Sequence, residues 1–225
     1  MATKRALTTA QKKQALVEVL LYRMQMEEFD EIKISDLCRD AQVSEASFYN
    51  YFPQKTDVLV YFILLWSVEI GWKLRYENHI DGLLEIEQFF RELAQSISEQ
   101  PTLIAEIIAF QIKWTPVGMW PQLSEADKLV AYPEYEKILF IEAEGLDKML
   151  MPSLEEAVAR GELPESTPLS VIASGICSLF FGIPMLVKQV PMERLHDIFL
   201  EQLRLLWDGA RKRYGGQGKR KAQKV

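Results

Sequence analysis

Residues 34–57 read ISDLCRDAQVSEASFYNYFPQKTD, and this stretch decides the fold class. The spacing of its apolar residues predicts two short helices, at about 34–41 and 44–52. Gln42 and Val43 form the polar break between them, with Val43 filling the corner. Two short helices that cross at a tight turn are the arrangement by which many proteins place a helix in the DNA major groove.

The second predicted helix has a start signal and an anchor. Ser44 carries the hydroxyl that caps a helix N-terminus by accepting a backbone N–H of the first turn. Phe48 follows four residues later and is expected to point inward. Ser47, Tyr49 and Asn50 are then left for the outer face of the helix.

This stretch resembles the DNA-binding domain of the TetR family of bacterial transcriptional repressors. Members carry a hydrophobic-polar-Asp-hydrophobic-Ala run, a Gly-Val-Ser turn and a Tyr-x-Tyr/His-Phe-x-x-Lys ending. The corresponding residues here are Ile34-Ser35-Asp36-Leu37-Cys38, Gln42-Val43-Ser44, and Tyr49-Asn50-Tyr51-Phe52 with Lys55. The close match covers about residues 8–65, and only a general all-helical likeness continues beyond it.

Three positions depart from the family pattern. Gln42 replaces the usual turn glycine, and a residue with a side chain is strained in a left-handed turn. Lys33 stands where a capping Thr is frequent, and lysine cannot cap. Glu45 opens the second helix, where it repels phosphate but can accept a hydrogen bond from cytosine N4. These departures bear on the DNA sequence that the chain prefers.

The resemblance implies an all-α fold, in which an N-terminal three-helix helix-turn-helix domain is joined by a long helix to a C-terminal helical ligand-binding and dimerisation domain. We expect a DNA-binding domain at residues 1–55, the second domain at 56–214, and a basic, disordered tail at 215–225. Thr8 and Gln11 have the spacing of a capping box and predict where the first helix begins.

Helical patterns continue through the second domain. We predict further helices at about 58–78, 82–99, 101–114, 133–161, 167–189 and 192–213. Residues 115–133 contain three prolines and one glycine and are predicted to form a loop.

The charge balance is acidic, with a formal net charge of −6. Residues 1–60 hold eight basic and nine acidic groups, so the expected DNA-binding domain is nearly neutral. Residues 209–225 instead hold seven basic groups and no acidic one. Since affinity for DNA rests largely on phosphate contacts, a few such contacts must suffice, with two copies of the chain acting together.

Residues 169–187 form an uncharged run of nineteen residues, which is long enough to span a membrane. Small residues recur in it every four positions and Pro184 interrupts it, which favours a helix buried against another helix over a membrane span. The resemblance implies that two C-terminal helices of each copy form a four-helix interface in a homodimer. The predicted interface residues are Ser170, Ser174, Ser178, Gly182, Leu195, Phe199, Gln202 and Leu206.

No motif of an enzyme is present: the chain lacks GxGxxG, a P-loop, CxxC and GxSxG. Its two histidines, His79 and His196, do not have metal-ligand spacing. We therefore expect no enzymatic activity, no cofactor and no metal site. Cys38 and Cys177 lie in apolar patterns typical of reduced core thiols, and an N-terminus without an apolar signal segment predicts a cytoplasmic location.

Aromatic residues are frequent between residues 60 and 190. They fit either an ordinary helical core or an apolar cavity for a small molecule. If a cavity is present, we expect a lining of Phe89, Phe110, Trp114 and Tyr135, with residues 115–121 as its gate.

These observations predict a ligand-responsive, homodimeric transcriptional repressor. Its two recognition helices, residues 44–52, would enter successive major grooves of a near-palindromic double-stranded operator, and a small apolar effector would release it. The predicted DNA contacts are Ser44, Glu45, Ala46, Ser47, Tyr49, Asn50, Tyr51 and Lys55. One alternative is a helical small-molecule-binding or scaffold protein that has lost DNA binding, and another is an activator.

Overall fold

The computed structural model describes residues 2–77, 81–99, 101–113, 122–186 and 192–215. Within these ranges every regular element is a helix and no strand is present, which confirms the predicted all-α class. The α-helices are α1 (Lys4–Arg23), α2 (Ile34–Asp40), α3 (Glu45–Tyr51), α4 (Lys55–Trp72), α5 (Leu83–Glu99), α6 (Pro101–Lys113), α7 (Glu125–Ala131), α8 (Leu146–Met149), α9 (Met151–Ala159), α10 (Leu169–Met185) and α11 (Leu195–Tyr214).

The helices pack into two compact units. Unit 1 consists of Met1–Lys73 and Thr102–Glu144, and unit 2 consists of Leu74–Pro101 and Gly145–Val225. These units are defined by packing, and neither begins or ends at residue 55. The domain boundary that the sequence places at residue 55 stays a prediction. The tail at 216–225 lies outside the described residues.

In unit 1, α1 packs against α2, α4 and α7, and α2 packs against α3. The buried face of α1 carries Leu16, Val17 and Leu20 at helical spacing. This helix begins earlier than Thr8: the Oγ of Thr3 accepts a hydrogen bond from the backbone N of Ala6 at 3.2 Å. The predicted capping box is wrong because a residue five positions earlier caps the helix.

The segment after α6 differs from the sequence prediction. α7 lies inside the predicted loop, and the predicted helix 133–161 is broken into a 3₁₀ turn at Ile138–Phe140 and the short helices α8 and α9. The buried ammonium of Lys128 donates to the carbonyl of Ile141 at 2.5 Å, and Lys137 adopts a left-handed φ of 62°. These contacts between residues distant in sequence override the helical spacing.

In unit 2, α5 packs against α9 and α11, and α10 packs against α8, α9 and α11. Phe90 and Phe199 are fully buried, with ring centroids 5.0 Å apart. After α9 the chain turns at Gly161, whose φ of +74° is the left-handed conformation in which glycine commonly ends a helix. The predicted end of the tenth helix at residue 189 lies outside the described residues, while its observed end is Met185.

Among the described helices, none combines the length and the apolar character that a membrane span requires.

Candidate nucleic-acid interface

The α2–α3 turn has the compact geometry of a helix-turn-helix. The backbone N of Val43 donates to the carbonyl of Cys38 at 2.9 Å, and that of Gln42 donates to Arg39 at 3.2 Å. Gln42 has a φ of 54°, so the left-handed conformation predicted for this position is confirmed. Val43 is 6% exposed and fills the corner between the helices.

α3 is capped and anchored as the sequence predicts. The Oγ of Ser44 accepts a hydrogen bond from the backbone N of Ser47 at 3.2 Å. Phe48 is fully buried, with its ring 6.0 Å from that of Phe52. Phe52 in turn meets Tyr61 of α4 edge to face at 5.5 Å. The rings of Phe48, Phe52 and Tyr61 therefore pack one side of α3 against α4.

The opposite side of α3 is open. Ser44, Glu45, Ala46 and Asn50 are exposed, and Tyr49 has half of its side chain in solvent. Ser47 and Tyr51 are half-buried at the margins of this side. The predicted contacts of the recognition helix thus share one helix of about two turns, which has the dimensions to enter a major groove.

Lys55 has partners within the protein. Its Nζ donates to the backbone carbonyls of Phe29, Asp30 and Ile32 at 2.6, 3.2 and 2.8 Å. An ammonium has three donors, so these carbonyls use all of them. Burial lowers the pKa of Lys55 below the ordinary value of a lysine. In this geometry Lys55 fixes the 3₁₀ turn Phe29–Glu31 to the start of α4, which differs from the predicted phosphate contact.

Other cations near the helix-turn-helix are also paired. Arg23 binds Asp40 at 2.5 Å and Glu27 at 2.7 Å, while Arg39 binds Asp36 at 2.7 Å. The hydrogen bond from Arg23 holds the pKa of Asp40 below its ordinary value. These pairs occupy cations that would otherwise be free to meet phosphate.

Four basic residues remain unpaired in this part of unit 1. No ion pair or side-chain hydrogen bond to another described residue engages the exposed side chains of Lys4, Arg5, Lys12 and Lys33. Lys33 stands at the N-cap position of α2, where it makes no capping hydrogen bond, as the sequence predicts.

A buried carboxylate joins α1, α4 and α7. Asp127 is 2% exposed and accepts hydrogen bonds from Lys13 Nζ at 3.0 Å, Tyr61 Oη at 2.9 Å and Ser124 Oγ at 2.8 Å. Burial alone would raise the pKa of Asp127, but the hydrogen bonds from Ser124 and the charge of Lys13 outweigh it and lower the pKa. Burial, with the nearby Asp127, raises the pKa of Tyr61 above its ordinary value.

Sequence analysis did not find this network. The sequence offers one signal for this site, the Ser-x-x-Asp spacing at 124–127, which is typical of a helix N-terminus. Its partners Lys13 and Tyr61 are more than sixty residues away in the chain, and local pattern cannot reveal them.

The predicted dimer residues separate into two groups. Ser170, Ser174, Ser178 and Gln202 are exposed, and Gly182 and Leu206 are half-buried. Leu195 and Phe199, at 2% and 0% exposure, belong to the core of unit 2 and cannot face a second copy. Their inclusion was wrong because the core stripe of α11 continues through Leu203 and Trp207.

The four predicted ligand residues belong to different parts of the chain. Phe89 belongs to unit 2, where its ring stacks on Phe180 at 6.2 Å. Tyr135 belongs to unit 1, where it stacks between Trp72 at 4.2 Å and Tyr132 at 5.3 Å. Phe110 is half-buried on α6, while Trp114 and the gate at 115–121 lie outside the described residues.

A cavity of about 480 Å³ is present in unit 2, and none of the predicted ligand residues lines it. Among the described residues, no group of three or more His, Cys, Asp or Glu side chains is arranged to hold a metal ion. Cys38 and Cys177 are free thiols, and burial raises the pKa of each.

No protein-family model matches the chain, and no curated protein matches it significantly. Solved structures do match. FadR of Thermus thermophilus, described as a TetR-family transcriptional repressor in complex with lauroyl-CoA, is 18% identical and has a TM-score of 0.63, over 88% of this chain and 94% of that chain.

Two further structures match at a similar level. A TetR-family transcriptional regulator of Streptomyces coelicolor is 15% identical with a TM-score of 0.58, over 97% of this chain and 87% of that one. A TetR transcriptional regulator of Rhodococcus sp. RHA1 is 14% identical with a TM-score of 0.57, over 88% and 97%. At these identities the likeness shows the fold: the chain has the all-helical fold of TetR-family regulators.

Proposed function

We propose that this protein is a ligand-responsive, homodimeric transcriptional repressor that binds a near-palindromic operator. The observation that carries the proposal is α3 itself, a capped helix anchored on one side by Phe48 and open on the other. The structural neighbours are described as transcriptional regulators, not enzymes, and they support the same class of function. A regulator of this kind acts in the cytoplasm, where its operator is accessible.

The exposed side of α3 supplies the proposed contacts to bases. Glu45, Ala46 and Asn50 face the base edges, and Asn50 can bind an adenine in bidentate fashion. Ser44, Ser47, Tyr49 and Tyr51 meet phosphates or bases at the groove margins.

Cations of α1 and of the N-cap of α2 supply the proposed contacts to phosphate. Lys55 is occupied by backbone carbonyls, so we assign this role to the unpaired side chains of Lys4, Arg5, Lys12 and Lys33. Phosphate contacts of this kind fix the register of the protein on DNA without reading the sequence.

Two copies are proposed to meet through the outer faces of α10 and α11. Val171 and Leu205 are 60% and 65% exposed, and Ser174 and Ser178 lie exposed on the same outer part of α10. Small residues let two helices approach closely, and exposed apolar residues gain from being covered. A homodimer would present two copies of α3 to two half-sites.

The effector is proposed to be a small apolar molecule. The complex of Thermus thermophilus FadR with lauroyl-CoA shows that a protein of this fold can hold an acyl chain. A ligand releases the operator only if it binds the DNA-free conformation more tightly than the DNA-bound one.

The substitution Asn50→Ala tests the contact to bases. The variant should lose discrimination at one base pair of each half-site, at a cost of about 1–3 kcal/mol, because its bidentate partner is gone. Fluorescence anisotropy should measure the affinity of the parent and of the variant for a set of operators, each with one base pair changed. The position at which the variant no longer discriminates is the base pair that Asn50 contacts. Gln25→Ala, which removes an exposed amide at the end of α1, is the matched control and should bind like the parent.

A protein that has lost DNA binding is the second candidate. It is favoured by the exposed carboxylate of Glu45 at the start of α3 and by the pairing of Arg23 and Arg39 with acids. Such a protein would show neither an operator preference nor an effect of Asn50→Ala.

A further inference from the structure

The cavity of unit 2 is lined by residues of that unit alone, and none of the proposed DNA contacts is among them. Its volume of about 480 Å³ falls within the range of small-molecule sites. It is formed by the first turns of α5, the turn after α9 and the C-terminal half of α11.

The wall of the cavity is held by hydrogen bonds. Glu162 Oε2 accepts from the backbone N of Leu83 at 2.9 Å, and Arg211 Nε donates to the carbonyl of Glu162 at 2.9 Å. Gly82 has a φ of +73°, and a Cβ at this position would lie 2.6 Å from Glu162 Oε2. The left-handed φ favours glycine at this position, and the two hydrogen bonds link the turn after α9 to α5 and α11.

Two of the charged groups that line the cavity remain available. Arg211 forms an ion pair with Asp208 at 3.2 Å, and Glu162 forms one with Arg160 at 3.4 Å. The exposed Arg204 and the half-buried Glu87 form no ion pair or hydrogen bond to another described residue. One guanidinium and one carboxylate thus face the same space from α11 and α5, with no ion pair between them.

The rest of the lining is apolar. Trp207 is 2% exposed and Leu84 is 61% exposed, and both side chains line the cavity. A ligand that covered Leu84 would gain the transfer free energy of that apolar surface.

We propose that this cavity binds a small zwitterion with an apolar side chain, such as a free apolar amino acid. The ligand carboxylate pairs with Arg204, whose planar guanidinium suits a carboxylate. The ligand ammonium pairs with Glu87, and its side chain covers Leu84 and Trp207. This site is independent of the proposed DNA contacts.

Titration calorimetry on the full chain with L-leucine tests the proposal. We expect a dissociation constant of about 1 mM or tighter. Leucinamide lacks the carboxylate charge, N-acetyl-leucine lacks the ammonium, and glycine lacks the apolar side chain. Each should bind about tenfold more weakly than leucine, because each loses one of the three contacts.

Variants assign the contacts. Arg204→Gln should weaken leucine binding and abolish the preference for leucine over leucinamide, and Glu87→Gln should abolish the preference for leucine over N-acetyl-leucine. Arg213→Gln on α11 and Glu155→Gln on α9 remove the same charges outside the lining and should leave binding unchanged. The proposal is overturned if leucine does not bind, if leucine binds no more tightly than N-acetyl-leucinamide, or if neither lining variant changes its affinity.

Discussion

At the scale of single residues, two lysines near the helix-turn-helix have opposite surroundings. Lys55 donates to three backbone carbonyls, whereas Lys33 is exposed and makes no capping hydrogen bond at the start of α2. Both are cations on the same unit, yet only one is available to phosphate. The local environment, and not residue type, decides which lysine contributes to affinity and which to stability.

Substituting the two lysines separates these roles. Lys55→Ala should lower the free energy of unfolding by about 1–3 kcal/mol, because it removes the donor to the carbonyl of Ile32 and one of the two donors to the carbonyl of Phe29. Lys33→Ala should leave stability unchanged and reduce the slope of log affinity against log salt by about one charge. Urea denaturation and anisotropy at several salt concentrations give both quantities. The reverse pattern would contradict the assignment.

At the scale of elements, α1, α4 and α7 meet at the buried carboxylate of Asp127. Its pKa is lower in the folded chain than in the unfolded chain, so it adds stability above the unfolded value of about 3.9. That contribution is lost as the pH falls through the folded pKa. Asp127→Asn should therefore destabilise the chain near neutral pH and lose less further stability on acidification than the parent.

The measurement is the free energy of unfolding between about pH 3 and pH 7 for the parent and the variant. The two curves should converge toward acid. Asp36→Asn, which removes an acid from a surface pair with Arg39, is the control and should change little. Parallel curves for the parent and Asp127→Asn would show that the carboxylate charge does not stabilise the three-helix junction.

The elements also show which features the sequence could predict. Ser44, Val43 and Phe48 were placed correctly, because a cap, a turn and an anchor depend on residues a few positions apart. α7 and the irregular segment after it were missed, because Lys128 and Ile141 stabilise a structure that local spacing does not encode. For α11, the sequence predicted the helix but assigned Leu195 and Phe199 to an outward face instead of the core.

At the scale of the whole molecule, the proposed dimer face of α10 and α11 leads to a further prediction. Leu205 is 65% exposed in the single chain, and Leu205→Glu would place a charge where the second copy should pack. Sedimentation should show a monomer, and operator affinity should fall because two half-sites no longer act together. Leu84→Glu, a leucine 61% exposed on α5, is the control and should remain dimeric.

If the Leu205→Glu variant remains dimeric, the two copies meet through another surface and the proposed interface is wrong. A monomeric variant that still bound the operator as tightly as the parent would separate DNA binding from dimerisation.

The proposed function depends most directly on sequence-specific DNA binding by the full chain. The decisive measurement is the ratio of dissociation constants for a scrambled duplex and for an operator selected from random DNA, at one near-physiological salt concentration. We predict a ratio of about 10³ or more, as specific regulators show. A ratio near one would contradict the proposed function and favour a helical ligand-binding or scaffold protein that retains the fold without its DNA activity.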